Sequence, residues 1–106
     1  MINNKVYGLL GLTAKAGKLS FGTDSCLEMI AKKKLKLVII AEDSSERTIN
    51  NFKEKCSQNN IKFYVFGNKE DLSKAIGKVN KAVIGIKDKN LAGAIIKILN
   101  GGDVIG

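Results

Sequence analysis

The chain has 106 residues and no histidine. This excludes a Ser–His or Cys–His nucleophile pair, an imidazole base and a zinc site of the usual kind. An enzyme on this chain would have to work through carboxylates, lysines or a bound cofactor. Cysteine is scarce too: Cys26 and Cys56 stand thirty residues apart. Without histidine they make no metal site, and they are expected as reduced, half-buried small apolar residues. No apolar run approaches the roughly 20 residues needed to span a bilayer. The start, MINNKVYGLLGLTAKAGK, lacks the charged n-region and continuous apolar stretch of a signal peptide. The expectation is a cytoplasmic protein with no membrane partner. No linker, low-complexity tract or internal repeat interrupts the chain. Residues 1–106 are therefore expected as one domain with one core, and a hydrophobic fraction of 44% is that of a soluble globular protein.

What the chain does have is positive charge, a net +8, which points to a polyanionic partner. Residues 1–40 carry +5, residues 41–75 balance, and residues 76–106 carry +3. If the fold brings the two ends of the chain together, they form one basic face. The plainer alternative is a lysine-rich surface that serves solubility.

Helix and strand signals alternate. A first helix is expected over 4–16, with Val6, Leu9, Leu10 and Thr13 on one face, Asn3 or Asn4 as cap and Gly17 as terminator. Gly8 and Gly11 inside it ask for a close neighbour. A short strand over 19–21 leads into a second helix over 23–33, with Leu27, Ile30 and Ala31 as its apolar stripe. Lys32, Lys33 and Lys34 crowd its end, where they complement the helix dipole. The run LKLVIIA, 35–41, reads as a central strand covered on both faces. A helix over 46–58, a strand over 62–66, a helix over 69–76, a strand over 82–86 and a helix over 89–99 follow. Ser44 or Ser45, Asn68 and Asp88 stand as caps, and Gly77 and Gly101-Gly102 as terminators. The fold class is α/β: a three-layer α/β/α sandwich of five helices on a four-stranded mixed sheet.

Two stretches invite chemistry. In KAGKLSFGTDSCLE, residues 15–28, a short strand feeds Gly22 and then a helix headed by Thr23, Asp24 and Ser25. Such a helix start exposes unpaired N–H groups and a partial positive charge, a generic anion site. It also reads as an ordinary capped turn. Glu42 and Asp43, at the end of a strand, resemble half of a metal-binding acid pocket. No third acid is placed to join them, which favours helix capping.

Three stretches carry a resemblance: LLGLTAKAGKLSFGTDSCLEMI, LVIIAEDSSERT and LSKAIGKVNKAVIGI. In order and spacing they resemble the kink-turn-binding ribosomal protein family of large ribosomal subunits and box C/D particles, and most of all its bacterial members. The resemblance covers nearly the whole chain, and the run LGLTAKAGKLSFG from Leu10 to Gly22 is its most specific part.

The resemblance implies that the head of the second helix enters a kink-turn and reads sheared G·A pairs. The loop before the last strand packs on the kinked backbone, and the turn after the second strand holds a flipped-out nucleotide. Gly22 matches the glycine that lets backbone approach RNA, with Thr23 beside it. Asp24 and Ser25 fall where Asn-Glu is usual, and Glu28 where a lysine is usual. Lys18, Lys32 or Lys78 would have to offset that acid. Lys78, Val79 and Lys81 match the loop, and Asp43 and Ser45 the nucleotide-holding turn.

The implied function is non-catalytic binding of structured RNA, a kink-turn or ribosomal RNA, by a monomer, with the ribosome as one setting. No catalytic residue, metal or cofactor is expected. An assembly module that has lost kink-turn specificity is the alternative, motivated by Asp24, Ser25 and Glu28. A small enzyme built on Glu42 and Asp43 ranks last, since a full glycine-rich phosphate loop is missing.

Overall fold

The computed structural model describes residues 2–101. Nine elements follow the expected order: α1 (Ile2–Lys15), β1 (Leu19–Phe21), α2 (Thr23–Ala31), β2 (Leu37–Ile40), α3 (Glu46–Gln58), β3 (Lys62–Val65), α4 (Lys69–Ala75), β4 (Val83–Ile86) and α5 (Lys89–Leu99). The strands form one mixed sheet in the order β1-β4-β2-β3. β4 runs antiparallel to both neighbours, while β2 and β3 are parallel.

Both central strands are buried along their whole length, which is why they read as unbroken apolar runs. Their alternating side chains feed two cores. Leu37, Ile39, Ile84 and Ile86 meet Val6 and Leu10 of α1, Leu72 of α4 and Ile95 of α5. Val38, Ile40 and Val83 meet Cys26 and Ile30 of α2 with Phe52 and Cys56 of α3. The sheet is thus the middle layer of an α/β/α sandwich.

Local chemistry sets the element ends. Gly17, at φ 70, stops α1 while the Lys18 amide donates to the Thr13 carbonyl at 3.1 Å. Ser45, Asn68 and Asp88 each accept a first-turn amide, from Thr48, Asp71 and Leu91.

Several expectations are corrected. α1 begins at Ile2, so Asn3 and Asn4 lie inside it and not before it. Gly8 has no neighbour within 4 Å of where a Cβ would sit, whereas Gly11 lies 3.2 Å by the same measure from the Ala75 carbonyl, where α1 and α4 touch. α2 ends at Ala31, which is exposed, and its buried residues are Cys26 and Ile30. Lys33, at φ 58, then turns the chain. Leu35 leaves the strand to lie across Gly85, 2.5 Å from where a Cβ there would stand. Cys26 and Cys56 are fully buried rather than half-buried. Burial pushes the Cys26 thiol up to about 12 and the Cys56 thiol up to about 11. Gly102, expected as part of the last terminator, lies outside the described residues.

The strand registers give the sheet two distinct ends. Phe21, Ile40, Val65 and Val83 lie at one, hereafter the exit end, where β1, β2 and β3 finish. Leu19, Leu37, Lys62 and Ile86 lie at the other, the entry end.

Candidate nucleic-acid interface

β1 finishes at Phe21, and the Gly22 amide donates to the Val83 carbonyl at 2.9 Å. Gly22 then sits at φ 90, ψ 157 and opens α2 with no side-chain cap. That φ is costly for any residue with a Cβ. It lets the chain turn sharply and leaves the first N–H groups of α2 beside exposed Thr23, Asp24 and Ser25.

Residues 78–82 come to the same place. Gly77 (φ 73) and Asn80 (φ 56) bend this loop. Ser73 of α4, 3% exposed, holds it at both faces of one residue: its Oγ accepts the Lys81 amide at 2.7 Å and donates to the Lys81 carbonyl at 3.1 Å. The Lys78 and Lys81 ammonium groups then lie over the Phe21 ring, 5.0 and 5.5 Å from its centroid, within cation–π range. A Cβ on Gly22 would stand 3.9 Å from the Lys81 Nζ. Val79 at the loop tip is 76% exposed.

The turn after β2 completes the exit end. Asp43 Oδ1 accepts the Lys69 amide at 3.0 Å and ties this turn to the start of α4. Ser45 is occupied with Thr48, whose amide it accepts at 3.1 Å. Ser44 Oγ is buried without a partner among the described residues. The Asp43 carboxylate thus serves the turn, and no group of three potential metal ligands occurs among the described residues.

Nine of the twelve residues singled out from sequence meet at this end: Gly22, Thr23, Asp24, Ser25, Asp43, Ser45, Lys78, Val79 and Lys81. Glu28 lies farther along α2 and binds Lys32 at 2.9 Å. That ammonium holds the Glu28 carboxyl below the usual range. Lys32 therefore offsets the acid directly, as one expected route required, but it does so past the far end of α2. Lys18 stands at the entry end, where its carbonyl accepts the Lys87 amide at 2.8 Å.

The two lysine-rich ends of the chain meet in part: Lys15 and Gly17 line one surface cleft with Lys78, while the Lys18 backbone stands one three-residue strand away, at the entry end. The exit end carries charges of both signs, with Asp24, Glu42, Asp43, Glu46, Glu70 and Asp71 beside Arg47, Lys69, Lys74, Lys78 and Lys81. Sequence reasoning missed Phe21 as the platform under two ammonium groups and Ser73 as the loop clamp. A serine on the buried side of a helix was the one available sign of the latter.

Comparison with known proteins agrees with this architecture. The chain is 29% identical over 94 residues to the RNA-binding protein YlxQ of Bacillus subtilis (strain 168), covering 89% of this chain and 94% of that one. It is 32% identical over 97 residues to the RNA-binding protein YlxQ of Enterococcus faecium, covering 92% and 93%. Among solved structures, a protein of unknown function from Bacillus halodurans C superposes with a TM-score of 0.88 at 31% identity, over 91% of this chain and 97% of that one. The Giardia lamblia 15.5kD RNA binding protein superposes with a TM-score of 0.81 at 19% identity, over 99% and 90%, a likeness of fold. A family profile matches residues 4–95, and the chain belongs to the ribosomal protein L7Ae/L30e/S12e/Gadd45 family.

Proposed function

We propose that this protein is a non-catalytic, monomeric RNA-binding protein that recognises structured RNA of the kink-turn type through the exit end of its sheet. The observation that carries the reading is the meeting of an uncapped, glycine-opened helix head with a clamped basic loop, two ammonium groups over one aromatic ring between them. Both relatives named above that are described by function are RNA-binding proteins. The α2 amides and the two ammonium groups suit phosphate oxygens. Asp24 and Ser25 carry acceptors for guanine amino groups. Exposed Val79 supplies apolar contact, and Asp43 and Ser45 border the space for an unpaired nucleotide. A shape-read RNA suits such a site, because unpaired bases and backbone carry the recognition.

The test is a gel shift with a kink-turn hairpin beside the same hairpin with its G·A pairs replaced. Tighter binding to the first is expected. Equal binding to both sinks kink-turn specificity, and salt-independent binding sinks the electrostatic contribution. A second reading, an assembly module with weakened RNA recognition, is favoured by the acids interspersed among the bases of the exit end. A protein partner that survives nuclease treatment, with no preference for the kink-turn hairpin, is its expected signature. Sedimentation with ribosomes in a salt-washed gradient would place the protein in a ribosomal setting, and a nuclease-sensitive association with free RNA would place it elsewhere.

A further inference from the structure

Lysines are also gathered at the entry end, and the strand ladder arranges them in a row. The Lys87 amide donates to the Lys18 carbonyl, and the Lys36 amide to the Ile86 carbonyl, each at 2.8 Å. Lys62 pairs with Leu37, the residue after Lys36. Each of the four strands therefore carries a lysine at this end, in the spatial order Lys18, Lys87, Lys36, Lys62. At the ordinary inter-strand spacing the row spans about 14 Å. Lys33 and Lys34, in the turn after α2, extend it, and all but half-buried Lys87 are exposed. Among the described residues none of these six is in an ion pair. The nearby acids are engaged elsewhere: Glu28 with Lys32, and Asp88 with the Leu91 amide.

We infer that this row binds the phosphate backbone of an RNA helix distinct from the motif held at the exit end, so that the protein bridges two RNA segments. The inference rests on the proposed function only for the identity of that second, simultaneous contact. Lysines are compact point charges on flexible stems, suited to backbone and not to base edges. The strands between the two ends are three or four residues long, about 10 Å, in a molecule with extents of 34 × 27 × 27 Å. The inference places one RNA segment at the exit end and a second on the entry row. An anionic membrane fits less well. Surface binding draws on apolar side chains among the basic ones, and none of the exposed large apolar residues, Leu12, Val65 and Val79, belongs to the row.

The experiment uses three probes: a plain RNA duplex of about 16 base pairs, a kink-turn hairpin, and vesicles containing phosphatidylserine. The proteins are wild type, the triple variant Lys36→Glu, Lys62→Glu, Lys87→Glu, and the double variant Lys78→Ala, Lys81→Ala. A glutamine version of the triple variant serves if charge reversal impairs folding. Wild type is expected to bind the duplex, and the triple variant at least about tenfold more weakly with a flatter salt dependence. The double variant should bind the duplex within about twofold of wild type, its losses being confined to the hairpin. Protein saturated with hairpin should still take up duplex as a ternary complex.

The inference is overturned if the triple variant binds duplex as wild type does, if hairpin displaces duplex, or if vesicles bind and duplex does not. Failure of wild type to prefer the hairpin would sink the exit-end reading alone, since the duplex arm scores the lysine row without it.

Discussion

At the exit end of the sheet, polar groups are held in place. Ser73 clamps Lys81, Asp43 holds the Lys69 amide, Ser45 caps α3, and Lys78 and Lys81 rest over Phe21. At the entry end the lysines of the row stand on strand termini without a carboxylate partner. Acids and bases alternate at the first, and bases dominate the second. Fixed geometry suits selection among RNA shapes. Unfixed charge suits affinity without selection, since long-range attraction to phosphate needs no particular rotamer. The proposed function and the further inference thus assign selection and affinity to the two ends of four short strands.

The comparison can be broken most forcefully through Leu35. Its side chain lies across Gly85 and anchors the turn that leads into β2 at the entry end. Leu35→Ala should cost about 2–5 kcal/mol of stability, read from a denaturant midpoint. Below the unfolding transition, duplex binding should suffer more than hairpin binding. Ser73→Ala comes next. It leaves the Lys81 amide and carbonyl unpaired in a part-buried site, which should cost about 1–3 kcal/mol. It should weaken hairpin binding and leave duplex binding unchanged, and equal loss of both would erase the distinction between the ends. Gly22→Ala forces a residue with a Cβ into an extended positive-φ conformation, φ 90 and ψ 157, and should cost about 1–3 kcal/mol, with hairpin affinity falling alongside.

Glu28→Lys is a smaller change with the opposite sign. It removes the carboxylate that engages Lys32 and frees that ammonium, so hairpin binding should tighten a few-fold, measured by gel shift at fixed salt. No gain would mean that α2 does not lie along the RNA. The smallest effect at neutral pH involves the thiols. Their native values, about 12 for Cys26 and about 11 for Cys56, lie above the ordinary value of 9.0. The native state thus keeps protons that the unfolded chain releases, so this contribution is fully present below pH 9 and is lost as pH rises through the native values. A thiol reagent at pH 7 should leave native protein unlabelled and label Cys26 and Cys56 on unfolding.

Most of the fold was legible because local chemistry specifies it. α3 and α5 begin and end where their caps and apolar spacing require, and Gly17 and Gly77 end helices where a left-handed residue is needed. The family resemblance put the helix head, the basic loop and the acidic turn together, and the fold brings all three to the exit end. The distribution of charge was not legible. Counting lysines by chain segment joined Lys18 to Lys78, yet it is Lys15 and Gly17 that share a cleft with Lys78. Only the antiparallel register of β1 on β4 shows that Lys18 belongs with Lys87. Ser73 was equally hidden, because its role depends on a loop eight residues away returning to it.

Backbone amide chemical-shift mapping with a kink-turn hairpin reads both ends of the sheet at once. The largest shifts are expected at Gly22, Thr23, Asp24, Ser25, Lys78, Val79 and Lys81, with Lys18, Lys36, Lys62 and Lys87 little changed at one equivalent. Shifts concentrated on the four strand-end lysines, with the head of α2 silent, would contradict the proposed function.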